Sequence, residues 1–323
     1  MSSAQILVTG ATGFIGRYLL KGLVVRGLPL RIALRQTVAD HLPLGVETAI
    51  VGEINGLTNW QSALSGIQSV VHLAGRAHVL NDDPKTAAAK FTQTNVEGTA
   101  NLVRQCLESE VQRFIFLSSI GAMGTTCKQR LTELSVCQPD TRYGWSKLQA
   151  ERAIAELTQP SQMQHTIIRP PLVYGPKNPG NMERLLKLID RGLPLPFGSV
   201  RNQRSFIYVE NLVDAIIACL DHPNALGQTF LVSDSSALST PELIRILATG
   251  LGKSPVLFPC PPSFLRLLGQ LTGRSGMIDR LLGSLAINDQ KFRNLLGWQP
   301  PYPVTQGLQA TADWYRQTQQ TLS

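Results

Sequence analysis

A tyrosine and a lysine four residues apart, Tyr143 and Lys147, are the side chains of this sequence best suited to acid–base chemistry. Apolar residues follow them at helical spacing, which predicts a helix with both side chains on one face; these residues are Ala150, Ala153, Ile154 and Leu157. A free tyrosine has a pKa of about 10 and is a poor base at neutral pH, but a nearby ammonium group favours the phenolate. The pair can then exchange a proton with a hydroxyl or carbonyl group. The same spacing is also common on surface helices.

The end of a predicted strand supplies a hydroxyl partner for this pair. Residues 114–117 form an apolar strand pattern, which is followed by Ser118, Ser119 and a turn of small residues. A serine hydroxyl at this place can hydrogen-bond a reacting oxygen and stabilise the charge that develops on it. We predict that Ser119 is the third catalytic residue and that Ser118 is its structural neighbour.

Three glycines near the start of the chain lie where a strand pattern passes into a helix pattern. Gly10, Gly13 and Gly16 follow the strand at residues 5–9 and precede an amphipathic segment. Glycine is needed where the backbone turns tightly and approaches a pyrophosphate, and the helix N-terminus then offers free N–H groups to the phosphates. This position favours a dinucleotide-binding loop over a purely structural turn.

The residue after the second predicted strand indicates which dinucleotide the loop would hold. An acidic residue there would bind the ribose hydroxyls of NAD, but this sequence has Arg35, about 20 residues beyond the last glycine. A guanidinium group can bind a 2′-phosphate, so NADP(H) is favoured over NAD(H). The alternative is a surface arginine beside the site.

Short strand patterns alternate with longer helical ones over the first two thirds of the chain. The strands are predicted at 6–8, 30–34, 48–51, 70–73, 114–117 and 166–168, and helices include 14–26 and 91–107. This order is typical of an α/β fold with a Rossmann-type, doubly wound parallel sheet. After Pro170 prolines become frequent. We therefore predict a dinucleotide-binding domain at 1–170 and a smaller, mostly helical substrate-binding lobe at 171–323, some of whose segments return to the first domain.

Composition excludes several classes of protein. Hydrophobic residues make up 43% and charged residues 16%, enough for a sizeable core, while no apolar run approaches the roughly 20 residues that span a bilayer. No secretory signal pattern opens the chain, and five scattered cysteines without a CxxC pair indicate a reducing cytoplasm and no metal site.

The net charge of the chain is +8, but its basic residues form no run of four, so we expect no nucleic-acid partner and no membrane insertion. It fits either a solvated basic surface or an anionic cofactor and substrate.

Together these motifs resemble the extended short-chain dehydrogenase/reductase family, which includes the NAD-dependent sugar epimerases and dehydratases. The resemblance rests on the glycine loop, on 71–75 (Val-His-Leu-Ala-Gly), on Ser118 and Ser119, on Tyr143 and Lys147, on 169–176 (Arg-Pro-Pro-Leu-Val-Tyr-Gly-Pro) and on 295–300 (Leu-Leu-Gly-Trp-Gln-Pro). These motifs occur in the family's order from residue 4 to residue 316. The resemblance also implies a homodimer, through the helices near 91–107 and 141–157.

By position, the resemblance makes Ser119, Tyr143 and Lys147 the catalytic residues. It implies that Asn95 is the helix asparagine that buttresses the active-site region, and that Arg204 and Arg280 contact a nucleotide diphosphate. Asn181 would touch the nucleotide or sugar, although a plain surface role fits it equally well. The full set of expected cofactor-binding residues is Gly10, Gly13, Phe14, Ile15, Gly16, Arg35, Glu53, Ile54, Leu73, Ala74, Gly75, Asn95, Tyr143, Lys147, Pro170 and Val173.

Two departures from the family pattern narrow the expected reaction. Met123 stands where many epimerases have an aromatic residue. Ile120 and Gly121 stand where dehydratases have Asp-Glu, so loss of water is not expected. The segments 169–176, 192–196 and 227–234 resemble polysaccharide-cluster enzymes, which favours reduction of a UDP-4-keto-6-deoxy-N-acetylhexosamine for surface polysaccharide synthesis. The alternatives are a UDP-sugar 4-epimerase, a reductase of a ketone without a nucleotide, and a non-catalytic dinucleotide sensor.

Overall fold

A computed structural model describes residues 5–37, 43, 45–77, 84–159, 161–178, 180–273 and 275–322. The strands are β1 Gln5–Thr9, β2 Leu30–Leu34, β3 Val46–Ile50, β4 Ile67–His72, β5 Arg113–Leu117, β6 Gln164–Arg169, β7 Leu172–Tyr174, β8 Phe206–Tyr208 and β9 Gln228–Leu231. The helices are α1 Phe14–Val25, α2 Gln61–Leu64, α3 Pro84–Phe91, α4 Gly98–Glu108, α5 Arg142–Thr158, α6 Asn181–Asp190, α7 Val209–Asp221, α8 Thr240–Gly250, α9 Pro262–Leu271, α10 Ser275–Leu282, α11 Gln290–Leu296 and α12 Val304–Leu322.

Seven strands form one parallel sheet in the order β3-β2-β1-β4-β5-β6-β9. The predicted Rossmann-type sheet is confirmed, and all six predicted strands lie in it. The seventh strand, β9, was not predicted. The strand order reverses between β1 and β4, and ligands of such sheets bind at the carboxyl ends of the strands beside this reversal.

The central strands are apolar on both faces because helices cover both sides of the sheet. Successive residues of β5 point to opposite sides. Ile115 and Leu117 pack in one buried cluster with α1 and α7, whereas Phe114 and Phe116 pack in another with α4 and α5. The side chain of Leu7 in β1 belongs to the second cluster. This two-sided packing fixes the register of the strand ends that carry the site.

A third buried cluster lies in the second half of the chain. It joins α6, α8 and α12 with the short parallel pair β7 and β8. Phe14 and Ile15, the first residues of α1, pack against this cluster, and so does Val173 of β7. Three elements beyond residue 170 pair or pack with the seven-stranded sheet and its helices instead. β9 pairs with β6, α7 packs on α1, and Phe292 of α11 lies in the first cluster.

The helical segment predicted over 91–107 is helical throughout, but its first part is not an α-helix. The backbone from Thr92 to Glu97 is a π-helix between α3 and α4. A π-turn inserts a residue into a helix and often occurs at functional sites. Here it contains the buried side chain of Asn95, which is 2% exposed.

Within the described ranges, no helix combines the length and the apolar character that crossing a membrane requires. The same residues contain no group of three His, Cys, Asp or Glu side chains arranged to hold a metal ion.

Candidate active site

The glycine loop lies against the end of β4 with no room for side chains. Gly10 has a φ of +72°, and a Cβ atom on it would lie 2.7 Å from the backbone nitrogen of Ala74. A Cβ atom on Gly16 would lie 2.1 Å from the Gly10 carbonyl oxygen. Both positions therefore require glycine, and the loop follows a tight path at the carboxyl ends of β1 and β4.

The start of α1 is open to a negatively charged ligand. The helix begins after Gly13, and among the described residues no side chain caps its first N–H groups. No acidic residue stands in its first turn. Free N–H groups and the partial positive charge of the helix N-terminus suit a diphosphate. The loop and helix therefore fit the dinucleotide that the sequence predicts.

The expected ribose-binding residues lie together at the surface beyond β2. The side chain of Arg35 is 74% exposed, and its Nη1 atom lies 3.9 Å from the Oε1 atom of Glu53, which is 84% exposed. This pair is too long and too exposed to hold either group firmly. Both a guanidinium for a 2′-phosphate and a carboxylate for a ribose hydroxyl are thus available. Ile54 packs against Gly98, where a Cβ atom would lie 2.6 Å from Ile54 Cγ2.

The residues after β4 form the next part of the crevice. Leu73 packs on the core, and the Ala74 N–H group donates to Thr9 Oγ1 at 3.1 Å. A Cβ atom on Gly75 would lie 3.2 Å from Lys147 Nζ and 3.3 Å from Asn95 Oδ1. Gly75 therefore brings the strand end against two predicted site residues.

The structure brings Ser119 and Tyr143 together through a contact between two glycines. A Cβ atom on Gly144 would lie 2.1 Å from the carbonyl oxygen of Gly121. This close approach places the first turn of α5 against the turn after β5. Ser119 Oγ accepts from the Gly121 N–H group at 3.1 Å. A Cβ atom on Gly121 would lie 3.3 Å from Ser119 Oγ and 3.8 Å from Tyr143 Cδ1, so both side chains lie beside this glycine.

Lys147 lies buried behind this pair, one turn further along α5. Its Nζ atom donates to the Leu117 carbonyl oxygen at 2.9 Å and lies 4.5 Å from the centroid of the Phe116 ring. The ammonium group is thus held by the end of β5 and by the face of an aromatic ring.

Burial dominates the pKa values of the tyrosine and the lysine. It raises the pKa of Tyr143 to about 12, against the opposite effect of the Ser119 hydrogen bond. It lowers the pKa of Lys147 to about 8, against the opposite effect of the Glu151 charge. The expected lowering of the tyrosine pKa by an ammonium group is outweighed here, because the phenolate would lose its hydration. The protein alone therefore holds Tyr143 as a phenol.

Asn95 links the strand end to the helix that carries the tyrosine. Its Oδ1 atom accepts from the Arg76 N–H group at 2.7 Å, and its Nδ2 atom donates to the Arg76 carbonyl and to Ser146 Oγ. The Ser146 hydroxyl donates to the Tyr143 carbonyl oxygen at 2.8 Å. The π-turn thus positions an amide that joins two walls of the crevice.

Pro170 and Val173 follow the end of β6. The Pro170 carbonyl oxygen accepts from the Ile120 N–H group at 2.9 Å, which connects the segment to the turn after Ser119. Val173 packs against both the first and the third buried cluster.

Two arginines in the second half of the chain, Arg204 and Arg280, are near enough for their charges to affect each other. Burial and the positive charge of Arg280 lower the pKa of Arg204, whose Nη1 atom donates to the Gly283 carbonyl oxygen at 3.1 Å. Arg280 is exposed on α10. Two guanidinium groups held at this proximity repel each other and would be relieved by a diphosphate. Asn181, by contrast, is exposed at the first residue of α6.

Sequence reasoning missed a buried ion pair behind the site. The carboxylate of Glu151, which is 4% exposed, accepts from Arg169 Nε, whose N–H is shared between the two oxygens at 3.0 and 3.2 Å, and from Arg169 Nη2 at 2.5 Å. It also accepts from the Ser118 hydroxyl. Its spacing, one helical turn after Lys147 on the buried face of α5, is a signal that could have revealed it.

Comparisons with known proteins agree with this geometry. Residues 6–233 match the sequence profile of the NAD dependent epimerase/dehydratase family. A Vibrio cholerae protein named UDP-glucose 4-epimerase is 39% identical over 319 residues, covering 97% of this chain and 96% of its own.

Two further relatives are more distant. An Escherichia coli O157:H7 protein named N-acetyl-alpha-D-glucosaminyl-diphospho-ditrans,octacis-undecaprenol 4-epimerase is 26% identical over 324 residues, covering 96% of this chain and 95% of its own. The crystal structure of a UDP-glucuronic acid 4-epimerase from Bacillus cereus in complex with NAD has a TM-score of 0.78 and 22% identity, covering 97% and 99% of the two chains. That last likeness shows the shared fold.

Proposed function

The chain belongs to the NAD-dependent epimerase/dehydratase family, and on that premise we propose that it inverts the configuration at C4 of a nucleotide-linked sugar. The observation that carries the proposal is the placement of Ser119 and Tyr143 beside Gly121, next to the buried Lys147 at the carboxyl ends of the sheet. The 39% identity to the Vibrio cholerae relative supports epimerisation over the other reactions of the family.

In this proposal the chain's residues bind the sugar and move one proton. Because the protein alone holds Tyr143 as a phenol, the tyrosine has to lose its own proton before it can act as the base. Ser119 hydrogen-bonds the C4 oxygen, and the Tyr143 phenolate takes the hydroxyl proton from that oxygen and later returns it. Lys147 stabilises the negative charge that the tyrosine oxygen carries whenever this proton is on the sugar. A bound nicotinamide supplies the hydride acceptor and donor for C4. Arg204 and Arg280 hold the diphosphate, so the sugar ring alone has to turn over within the crevice.

The cofactor is proposed to be held by the glycine loop and the start of α1. Arg35 supports NADP(H), because its exposed guanidinium group can reach a 2′-phosphate. Glu53 supports NAD(H), because a carboxylate in the same place accepts from ribose hydroxyls. We keep NADP(H) as the prediction. Releasing the bound dinucleotide from purified protein by denaturation and identifying it by mass spectrometry tests that choice.

Reduction of a UDP-4-keto-6-deoxy-N-acetylhexosamine is the second candidate function. It uses the same three residues but consumes the reduced cofactor at each turnover, so it needs a dinucleotide that exchanges. The exposed Arg35, suited to NADPH, is the observation that favours it. Dehydration has no such support, because Ile120 lies in a buried apolar cluster with Met123, where an acid and a base would be required.

Incubation of the purified protein with separate nucleotide sugars distinguishes the candidates. UDP-glucose and UDP-N-acetylglucosamine are followed by NMR, and the 4-keto-6-deoxy sugar is followed by the absorbance of added NADPH. Interconversion of C4 epimers without net cofactor consumption supports the epimerase. Stoichiometric NADPH oxidation with the keto sugar alone supports the reductase and overturns the epimerase. Y143F, which should abolish turnover and keep dinucleotide binding, also tests the sensor alternative.

A homodimer is proposed on the family resemblance. The side chain of Trp145, on the first turns of α5, is 49% exposed, and large aromatic side chains exposed on a subunit are enriched at interfaces. Light scattering of the wild type and of W145E tests the proposal, since a charge in the interface should shift the mass to that of a monomer.

A further inference from the structure

One face of α9 presents four large apolar side chains to solvent. The exposed fractions are 51% for Phe264, 51% for Leu267, 41% for Leu268 and 75% for Leu271. The spacing i, i+3, i+4, i+7 places all four on one side of the helix. We propose that this face, called here the α9 face, binds the surface of an anionic phospholipid bilayer.

The core of the lobe does not use the α9 face. The opposite side of the helix carries Leu265, 3% exposed, and Gly269, where a Cβ atom would lie 3.0 Å from Ile278 of α10. α9 is therefore apolar on both sides but buried on only one. A contiguous apolar face in this situation is typical of a contact with another molecule or a membrane.

The segment of the chain that contains α9 has a net positive charge, which complements an anionic surface. Residues 251–283 contain four basic residues, Lys253, Arg266, Arg274 and Arg280, and one acidic residue, Asp279. Arg266 stands on α9 itself, is 53% exposed and lies 3.7 Å from Asp279 of α10, and Arg280 is exposed on the same α10. An apolar helix face within a segment of net positive charge is typical of helices that lie in the interface of a bilayer.

The size of the α9 face favours a bilayer over a second protein. A helix of this length is about 15 Å long and about 10 Å wide. That is far below the roughly 800 Å² that each partner contributes to a stable protein interface. Reversible binding to a bilayer requires no minimum contact area, because each buried apolar side chain and each basic residue adds to the affinity.

Docking by the α9 face would also orient Arg204 and Arg280, called here the anion site because they are proposed to hold the diphosphate. Arg280 lies on α10, which packs against α9. Its positive charge lowers the pKa of Arg204. Docking by the α9 face would therefore hold the arginine pair near the headgroups. This association does not depend on which sugar reaction the crevice performs.

Sedimentation of the full-length protein with lipid vesicles tests the proposal. Vesicles of phosphatidylglycerol with phosphatidylethanolamine are compared with vesicles of phosphatidylcholine alone. The wild type should sediment with the anionic vesicles, and added salt should weaken this binding. F264Q/L271Q should lose at least about tenfold in vesicle affinity, because two apolar side chains no longer enter the interface. L134Q, which changes an apolar side chain that is 96% exposed elsewhere, is the matched control and should bind as the wild type does.

Three results would overturn the proposal. Wild-type protein that stays in the supernatant with every vesicle is the first, and equal binding by F264Q/L271Q is the second. The third is light scattering in which the same substitutions dissociate a wild-type dimer, since a second copy would then cover the face. If the double variant does not fold, as judged by its thermal unfolding, L271Q alone and R266E replace it. R266E should weaken binding to the anionic vesicles alone.

Discussion

Glu151 and Arg169 form an ion pair buried behind the predicted catalytic residues. Their side chains are 4% and 8% exposed, and the carboxylate accepts from Arg169 and from the Ser118 hydroxyl. The pair thereby joins α5, the end of β5 and the end of β6. Because Glu151 follows Lys147 by one helical turn, its charge also raises the pKa of that lysine. The ion pair is thus in a position to control both the placement and the protonation of the site.

We predict that E151Q shifts the pH dependence of turnover. Loss of the carboxylate should take the pKa of Lys147 below its present value of about 8, so the alkaline limb of kcat/KM against pH should move to lower pH. Arg169 would also be left as an unpaired buried charge, which destabilises folding by about 3–5 kcal/mol. The pH–rate profile and the urea midpoint measure the two effects separately.

E156Q is the control, because Glu156 is an exposed glutamate on the same helix. E151D should recover part of the wild-type profile. An alkaline limb that stays in place in E151Q, while stability falls, would restrict the ion pair to a structural role.

Replacement of Gly144 should separate Tyr143 from Ser119. In G144A the new Cβ atom would lie 2.1 Å from the Gly121 carbonyl oxygen, so the start of α5 has to move away from the turn after β5. A displacement of this kind lowers kcat by up to about 100-fold even when the chemistry is otherwise unchanged. Steady-state kinetics with a measured content of bound dinucleotide tests it. G276A is the control, since no described atom lies within 4 Å of its Cβ position; wild-type turnover in G144A would contradict the prediction.

Removal of either arginine of the anion site should weaken substrate binding more than catalysis. R204M and R280M each lose a charged hydrogen-bond donor worth about 1.5–3 kcal/mol, which corresponds to a rise of about 10–100-fold in KM for a UDP-sugar. The dissociation constant of the dinucleotide should not change. R201M, at an exposed position three residues before Arg204, serves as the control. A fall in kcat with unchanged KM would place the arginines in another role.

His72 should make the folded state sensitive to acid. It is fully buried between Thr9 and Thr99, and burial lowers its pKa to about 3. The unfolded chain takes up a proton near the ordinary pKa of 6.5, whereas the folded chain does not, so stability falls as the pH drops below that value. This group alone should remove about 3 kcal/mol between neutral pH and about pH 4.

Urea unfolding of the wild type and of H72N over this pH range measures the effect. The variant should start from a lower stability, because the contacts with the two threonines are lost, but should fall less steeply with acid. Parallel slopes for the two proteins would show that other groups cause the acid sensitivity.

The sequence predicted much of the sheet because its strands are buried on both faces. Residues such as Val8, Ile115 and Ile168 stand in short apolar, β-branched runs that few other structures accommodate. β9 escaped prediction because only Phe230 and Leu231 of its four residues are buried. Its place is fixed by pairing with β6, a contact between residues far apart in the chain.

The positions of the glycine loop and of the tyrosine–lysine pair were likewise predictable, because they depend on local spacing. The role of Glu151 was not, since a glutamate on a helix is usually exposed and only Arg169 makes its burial possible. The π-turn around Asn95 has no local sequence signal either, and it follows from the contacts of that side chain with Arg76 and Ser146. The pKa of Tyr143 was misjudged because burial cannot be read from spacing.

The late return of the chain to its first sheet has a consequence for biosynthesis. The register pairs Thr166 with Gln228, so β6 has no outer neighbour until the ribosome has delivered the whole intervening segment. An unpaired strand edge is a template for association with other chains, and nascent domains begin to fold before synthesis ends. During synthesis the polypeptide therefore passes through a stage in which the outer edge of β6 is unpaired and can associate with other chains. A gene truncated after residue 170 would make that stage permanent.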